Sequence, residues 1–132
     1  MTNDCIYLTV PAKAEYAKTV RMTAAALVSR MGMTYDEVDD VKMAAEEAFI
    51  YAVDTLAEDA EVRFTFELAD EALEILVVLG GEADVSDDEV ERRTSYATFI
   101  LESVVDGYEL LTDESGTKCM RLHKTAGGVD AV

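Results

Sequence analysis

The chain of 132 residues predicts an α+β fold, a two-layer sandwich in which a mixed, mostly antiparallel sheet carries three helices on one face. Three observations predict it. Val62, Phe64, Phe66 and Leu68 alternate with Arg63, Thr65 and Glu67, the period of a strand covered on one side only. The apolar run Leu73 to Leu79 follows the turn Ala69-Asp70-Glu71, so the two strands make an antiparallel hairpin. Finally, the order strand, helix, helix, two strands, helix, two strands groups helices and hairpins instead of alternating them, which suits helices segregated to one face of a sheet.

Cys5 to Val10 reads as the first strand, Tyr7 and Thr9 alternating with Ile6, Leu8 and Val10. Pro11 stops it and suits the entry to a helix. Lys13 to Met31 forms that helix, with Ala17, Val20, Ala24, Leu27 and Met31 as its apolar stripe. Lys13, Lys18, Arg21 and Arg30 lie off the stripe against Glu15 alone. Such a basic face is either solvated and offset by acidic neighbours or a contact for an acidic partner or second subunit. Gly32 ends the helix as a left-handed cap.

Thr34 and Glu37 form a capping box, and Asp36, Glu37, Asp39 and Asp40 place negative charge at the positive end of the next helix dipole. That helix runs to Leu56. Val41, Ala45, Ala48 and Ala52 make its core side, whereas Glu47, Tyr51 and Asp54, at i, i+4 and i+7, share a different face. A glutamate, a phenol and an aspartate in line form a candidate wall of a site.

Leu73 to Leu79 is apolar on both faces towards its end and should be central in the sheet. Gly80-Gly81 permits a tight turn. Glu82 to Glu91 is an acidic loop leading into a third helix, with Ser86 and Glu89 as a second capping box and Val90, Ala97, Leu101 and Val104 on the apolar side. Gly107 closes this helix. Tyr108 to Thr112 and Thr117 to Lys124 are the last two strands, joined by a turn at Asp113 to Gly116, with Met120 and Leu122 facing inward. His123 reads as a surface strand residue. One domain thus spans 1–124, and Thr125 to Val132 is a frayed tail.

A net charge of −17 with half the residues hydrophobic excludes a disordered acidic chain and disfavours nonspecific binding to nucleic acid or anionic membranes. Basic protein partners are favoured. No apolar run approaches bilayer length, and the opening Met-Thr-Asn-Asp-Cys lacks the basic and apolar regions of a secretion signal, so a cytoplasmic protein is expected. Cys5 and Cys119 read as two buried or half-buried free thiols.

Glu-Ala-Phe-Ile-Tyr-Ala at Glu47 to Ala52 resembles the Glu-Ala-x-x-Asn-Ala signature of the histidine-kinase-like (GHKL, or Bergerat) ATPases, and within them the small anti-sigma factors that are serine-protein kinases. Val10-Pro11-Ala12, Glu15-Tyr16, Arg21, Arg30 to Lys42 and Ile100 to Asp106 are similar to the same family. The resemblance implies the Bergerat fold. It also implies that Glu47 stands at the general base, that Arg21 faces protein partners, and that the partners are a sigma factor or an antagonist of the anti-sigma factor, with the chain a homodimer through its first strand and first helix.

The same resemblance points to losses. Tyr51 stands at the magnesium-binding asparagine, and a neutral phenol is a poor ligand for a hard cation. Leu79 replaces the aspartate that accepts the adenine amino group, and of the motif around it only Gly81 survives. Thr94 to Thr98 corresponds to the glycine-rich phosphate loop but has no glycine, so side chains occupy the positions where bare N–H groups would approach phosphate. No cofactor is therefore expected. Three functions compete: a degenerate regulator that switches protein partners, an active kinase using ATP and magnesium with Asp54 as substitute ligand, and an adaptor retaining only the fold. If the site has been converted to packing, the Tyr51 ring should be buried, with its hydroxyl on Asp54 or Glu47.

Overall fold

The alternation in the strands and the two apolar helix stripes can be buried together only if the helices lie on the apolar face of the sheet. The computed structural model describes residues 3–127 and has that arrangement. Strand β1 (Asp4–Pro11) is followed by a single 3-10 turn (Ala14–Tyr16), helices α1 (Ala17–Val28) and α2 (Tyr35–Thr55), the hairpin β2 (Glu61–Leu68) and β3 (Ala72–Gly80), helix α3 (Asp87–Val104), and the hairpin β4 (Gly107–Thr112) and β5 (Lys118–Thr125). The sheet order is β1-β2-β3-β5-β4, which puts β3 in the centre as expected. All four pairings are antiparallel, so the sheet is not mixed.

One cross-strand row shows how the core is built. Leu8, Phe64, Val77, Met120 and Leu110 lie opposite one another across all five strands. The three central residues are fully buried and the outer two partly so. Phe49 of α2 lies over this row with its ring centroid 6.5 Å from that of Phe64. Val41, Ala45, Ala48 and Ala52 are buried as the spacing of α2 requires. The three alanines among them leave room for close packing of α2 with its neighbours, chiefly α1 and α3. Lys124 of β5 ties the layers at one end, donating to Asp40 of α2 (3.1 Å) and to the carbonyl of Val104 (2.9 Å) at the negative end of α3.

The first helix is shorter than its periodicity suggests. Ala12 N–H donates to the Ala60 carbonyl (2.9 Å), just before β2, and Lys13 is extended, so the chain stays non-helical for these two residues and makes one 3-10 turn before Ala17. At the other end Ser29 Oγ donates to the Ala26 carbonyl, and Met31 N–H bonds back only three residues. Helical bonding stops before Gly32, which does adopt the left-handed conformation (φ 76°). Val28 is fully buried, whereas Leu27 and Met31 of the predicted stripe are only partly so.

The Thr34–Glu37 capping box is complete, with Glu37 N–H donating to Thr34 Oγ1 (3.1 Å) and Thr34 N–H to Glu37 Oε1 (2.8 Å). The second box is half made. Ser86 Oγ accepts from Glu89 N–H, but the Glu89 carboxylate turns instead to Arg92 and Arg93. Thr125 belongs to β5, and Ala126 and Gly127 donate to the Glu71 carbonyl and Glu37 Oε1. Thr125 to Gly127, expected in a frayed tail, are thus bonded to the fold, and the rest of that stretch lies outside the described residues. Cys5 is exposed on β1, against expectation, because it lies on the sheet face that no helix covers. Cys119 is half-buried, and desolvation pushes its thiol up. No helix among the described residues is long and apolar enough to cross a membrane.

Candidate functional site

Helix α2 carries the candidate wall, and its capped start and buried alanines fix where each side chain points. Tyr51 is only 3% exposed. Its hydroxyl lies 2.8 Å from Thr94 Oγ1 of α3, not on Asp54 or Glu47 as expected. Asp54 is held instead by Arg93 of α3 at 2.7 Å, and Arg93 is also bound by Glu89 (2.7 Å). One turn on, Thr55 is buried and bonds back to the Tyr51 carbonyl (2.7 Å), which satisfies its hydroxyl inside the helix.

Glu47 is partly buried and accepts no hydrogen bond among the described residues. Burial, and then the charges of Asp54 and Glu46, push its carboxyl above the usual range. Glu46 is bound by Arg21 of α1, whose Nη1 lies 3.1 Å from both carboxylate oxygens. Arg21, expected to face a partner, thus bridges α1 to α2 one residue from Glu47.

Beyond Tyr51 lies a cleft of about 110 Å³, lined by Tyr51, Thr55, Leu56, Leu79, Gly81 and Lys118, among others. Leu79 is buried in its wall. Gly81 is required twice over: its φ is 137°, and a Cβ there would meet the Ala60 Cβ at 2.9 Å. The connection from Gly81 to α3 then folds back on the end of α2, with Ala83 bridging to Leu56 and Asp84 N–H donating to the Thr55 carbonyl (2.7 Å). Pockets for drug-sized ligands run to several hundred Å³, so this cleft is small for a nucleotide.

Thr94 to Thr98 lies inside α3, not in a loop before it. Its two threonines, at i and i+4, both reach inward: Thr94 to Tyr51, and Thr98 to the hydroxyl of Tyr108 (3.1 Å), a phenol that burial pushes up. Arg93, Tyr108 and Lys118 are the site residues that sequence reasoning missed, and Thr94 was picked out only as part of the phosphate-loop stretch, not as the partner of Tyr51. A signal for its inward position existed. With the helix started at its cap, Ser86, the residues Val90, Thr94, Ala97 and Leu101 fall at spacings of four, three and four.

A five-stranded antiparallel sheet backed by three helices, with a glutamate on the central helix and a cleft at the end of β3, is the layout of an ATPase-type nucleotide domain. The histidine kinase-like ATPase domain family matches residues 10–124, and the chain belongs to that family. Among curated proteins it is similar to the serine-protein kinase RsbW of Bacillus subtilis, 40% identical over 83 residues that cover 61% of this chain and 52% of that protein. The serine-protein kinase RsbW of Halalkalibacterium halodurans is 36% identical over 81 residues, 61% of this chain and 50% of that protein. That of Bacillus cereus is 28% identical over 131 residues, 87% of this chain and 82% of that protein. The chain spans about half the length of the first curated relatives it matches. Among solved structures, that of the RsbU and RsbW domains of Rv1364c from Mycobacterium tuberculosis contains the same fold, matched with a TM-score of 0.72 and 18% identity over 93% of this chain and 32% of that one.

Proposed function

We propose that the chain is an anti-sigma-factor-like regulator that works by exchanging protein partners, a sigma factor and its antagonist, and has lost ATP binding and serine kinase activity. One observation carries this reading. At the position of the family's magnesium ligand, a tyrosine ring is buried and bonded to Thr94, so packing takes the place of metal coordination. Leu79 in the cleft wall and the helical Thr94 to Thr98 act in the same sense. Glu47 favours the kinase alternative: it is partly buried, has no cation partner among the described residues, and burial pushes its carboxyl up, the direction a general base needs. Asp54 would have to leave Arg93 to serve as magnesium ligand in that case.

Calorimetric titration with Mg-ATP separates the two. The regulator gives no saturable, magnesium-dependent heat at millimolar ATP, whereas a tight magnesium-dependent site restores the kinase. The regulator is also a homodimer through β1 and α1, and sedimentation across a concentration series tests this. A monomer at high micromolar concentration removes the dimer.

A further inference from the structure

Of the four phenylalanines, Phe49, Phe64 and Phe66 are fully buried, but Phe99 is 75% exposed. Tyr96, three residues earlier on the same helix, is 61% exposed. Neither ring serves the fold, because the core side of α3 is Ala97 and Leu101, and the inward hydrogen bonds come from Thr94 and Thr98. Arg92, Tyr96, Phe99 and Ser103, at spacings of four, three and four, form one ridge about 16 Å long at 1.5 Å per residue. Two exposed aromatics on one ridge are the anchors that helix-to-helix recognition uses.

Charge narrows the partner. Helix α3 carries Asp87, Asp88, Glu89, Glu91 and Glu102 against Arg92 and Arg93. Both arginines are already held by Glu89, and Arg93 by Asp54 as well. Asp87, Asp88, Glu91 and Glu102 have no cation partner among the described residues. The Asp54–Arg93 and Tyr51–Thr94 contacts set α2 and α3 side by side in opposite directions. Glu47, seven residues before Asp54, therefore stands beside the half of α3 that carries Phe99. A second copy, itself at −17, would bring like charge to this face.

We propose that the outward face of α3, centred on Tyr96 and Phe99, docks a basic amphipathic helix of a partner protein. The apolar side of that helix covers the two rings, and its lysines or arginines reach Glu91, Glu102 and the aromatic faces. This rests on the reading of the chain as a partner-binding regulator and names the surface and the chemistry of the partner.

The test uses the full chain, isotopically labelled for NMR, at 0.15 M salt. The probes are two helical sixteen-residue peptides of equal charge, one of lysine and leucine, the other of lysine and alanine. The expected result is a saturable shift of the α3 amides with the lysine–leucine peptide and at least tenfold weaker binding of the lysine–alanine peptide. The double variant Y96S/F99S should weaken the first by at least tenfold, while Tyr35→Ser, at a still more exposed aromatic on α2, leaves it unchanged. Equal binding of both peptides, shifts spread over the whole acidic surface, or an unaffected Y96S/F99S would overturn the proposal, as would self-association through α3 that excludes the peptide. The outcome is independent of the Mg-ATP titration: a nucleotide-binding protein with an intact peptide site would sink the functional reading alone.

Discussion

Helices α2 and α3 lie side by side and are of similar length, yet they answer to different constraints. Eight side chains of α2 are buried, from Val41 to Thr55. In α3 only Ala97 and Leu101 are. The family's glutamate segment lies on α2, where a change of size is felt by α1, the sheet and α3 together. The other departures from the family's nucleotide motifs lie at buried Leu79, near the end of β3, and along α3, where most side chains are not buried. The difference teaches how, on the proposed reading, a nucleotide cleft is closed from its less constrained side: the scaffold helix places Tyr51, and the freer helix supplies the hydroxyl that pairs with it.

The comparison breaks most easily at Tyr51. Truncation to alanine removes a buried ring and leaves Thr94 without its partner, and should destabilise the fold by about 3–5 kcal/mol, the range for large aromatic deletions in cores. Denaturant unfolding measures it. A change within about half a kcal/mol would mean that the cleft tolerates an empty Tyr51 site and that α2 is less constrained than its burial implies.

A middle-sized effect is expected at the start of α2. Thr34→Ala removes half of the capping box and should cost about 1 kcal/mol. The other half is pH-dependent. The Thr34 N–H, with smaller help from Gly127 and Lys124, holds the Glu37 carboxyl below its ordinary value. A depressed carboxyl contributes stability above its unfolded pKa and loses it as pH falls through the folded one. The advantage of the parent over Glu37→Gln should therefore be full at neutral pH and fade as the solution is acidified past the usual carboxylate range. Urea midpoints of the two proteins at several pH values report it, and a constant gap would remove the carboxylate from the cap.

The smallest effect belongs to α3. Phe99→Ser touches a ring that supports nothing in the fold, and should move the unfolding free energy by no more than about 0.5 kcal/mol. A loss of several times that would show that Phe99 packs within the chain, and the contrast between the two helices would shrink accordingly.

What the sequence made legible follows the same division. The strands, the Thr34 cap, the core side of α2 and the inward Met120 and Leu122 are written in local spacing, and each is where that spacing puts it. The burial of Tyr51 was readable from its residue type at a cation-binding position. Its partner was not, because Thr94 lies 43 residues away and nothing in α2 says which of three polar neighbours wins. The same limit hid Arg93, whose hold on Asp54 spans 39 residues, and the attachment of Ala12 to Ala60 that delays α1. Cys5 was misjudged because a strand's period says which residues share a face but not which face the helices cover.

The place of β5 has a consequence for synthesis. It runs between β3 and β4, although it follows both in the chain. Until Lys118 to Thr125 has left the ribosome, β4 has no strand to pair with and the central strand β3 presents a bare edge, with Leu73, Ile75, Val77 and Leu79 along its apolar face. An edge of that kind is a template for pairing with another chain. The nascent protein therefore carries a risk of association until β5 emerges, and Lys118, Arg121 and Lys124 bring charge into that strand as it closes the gap.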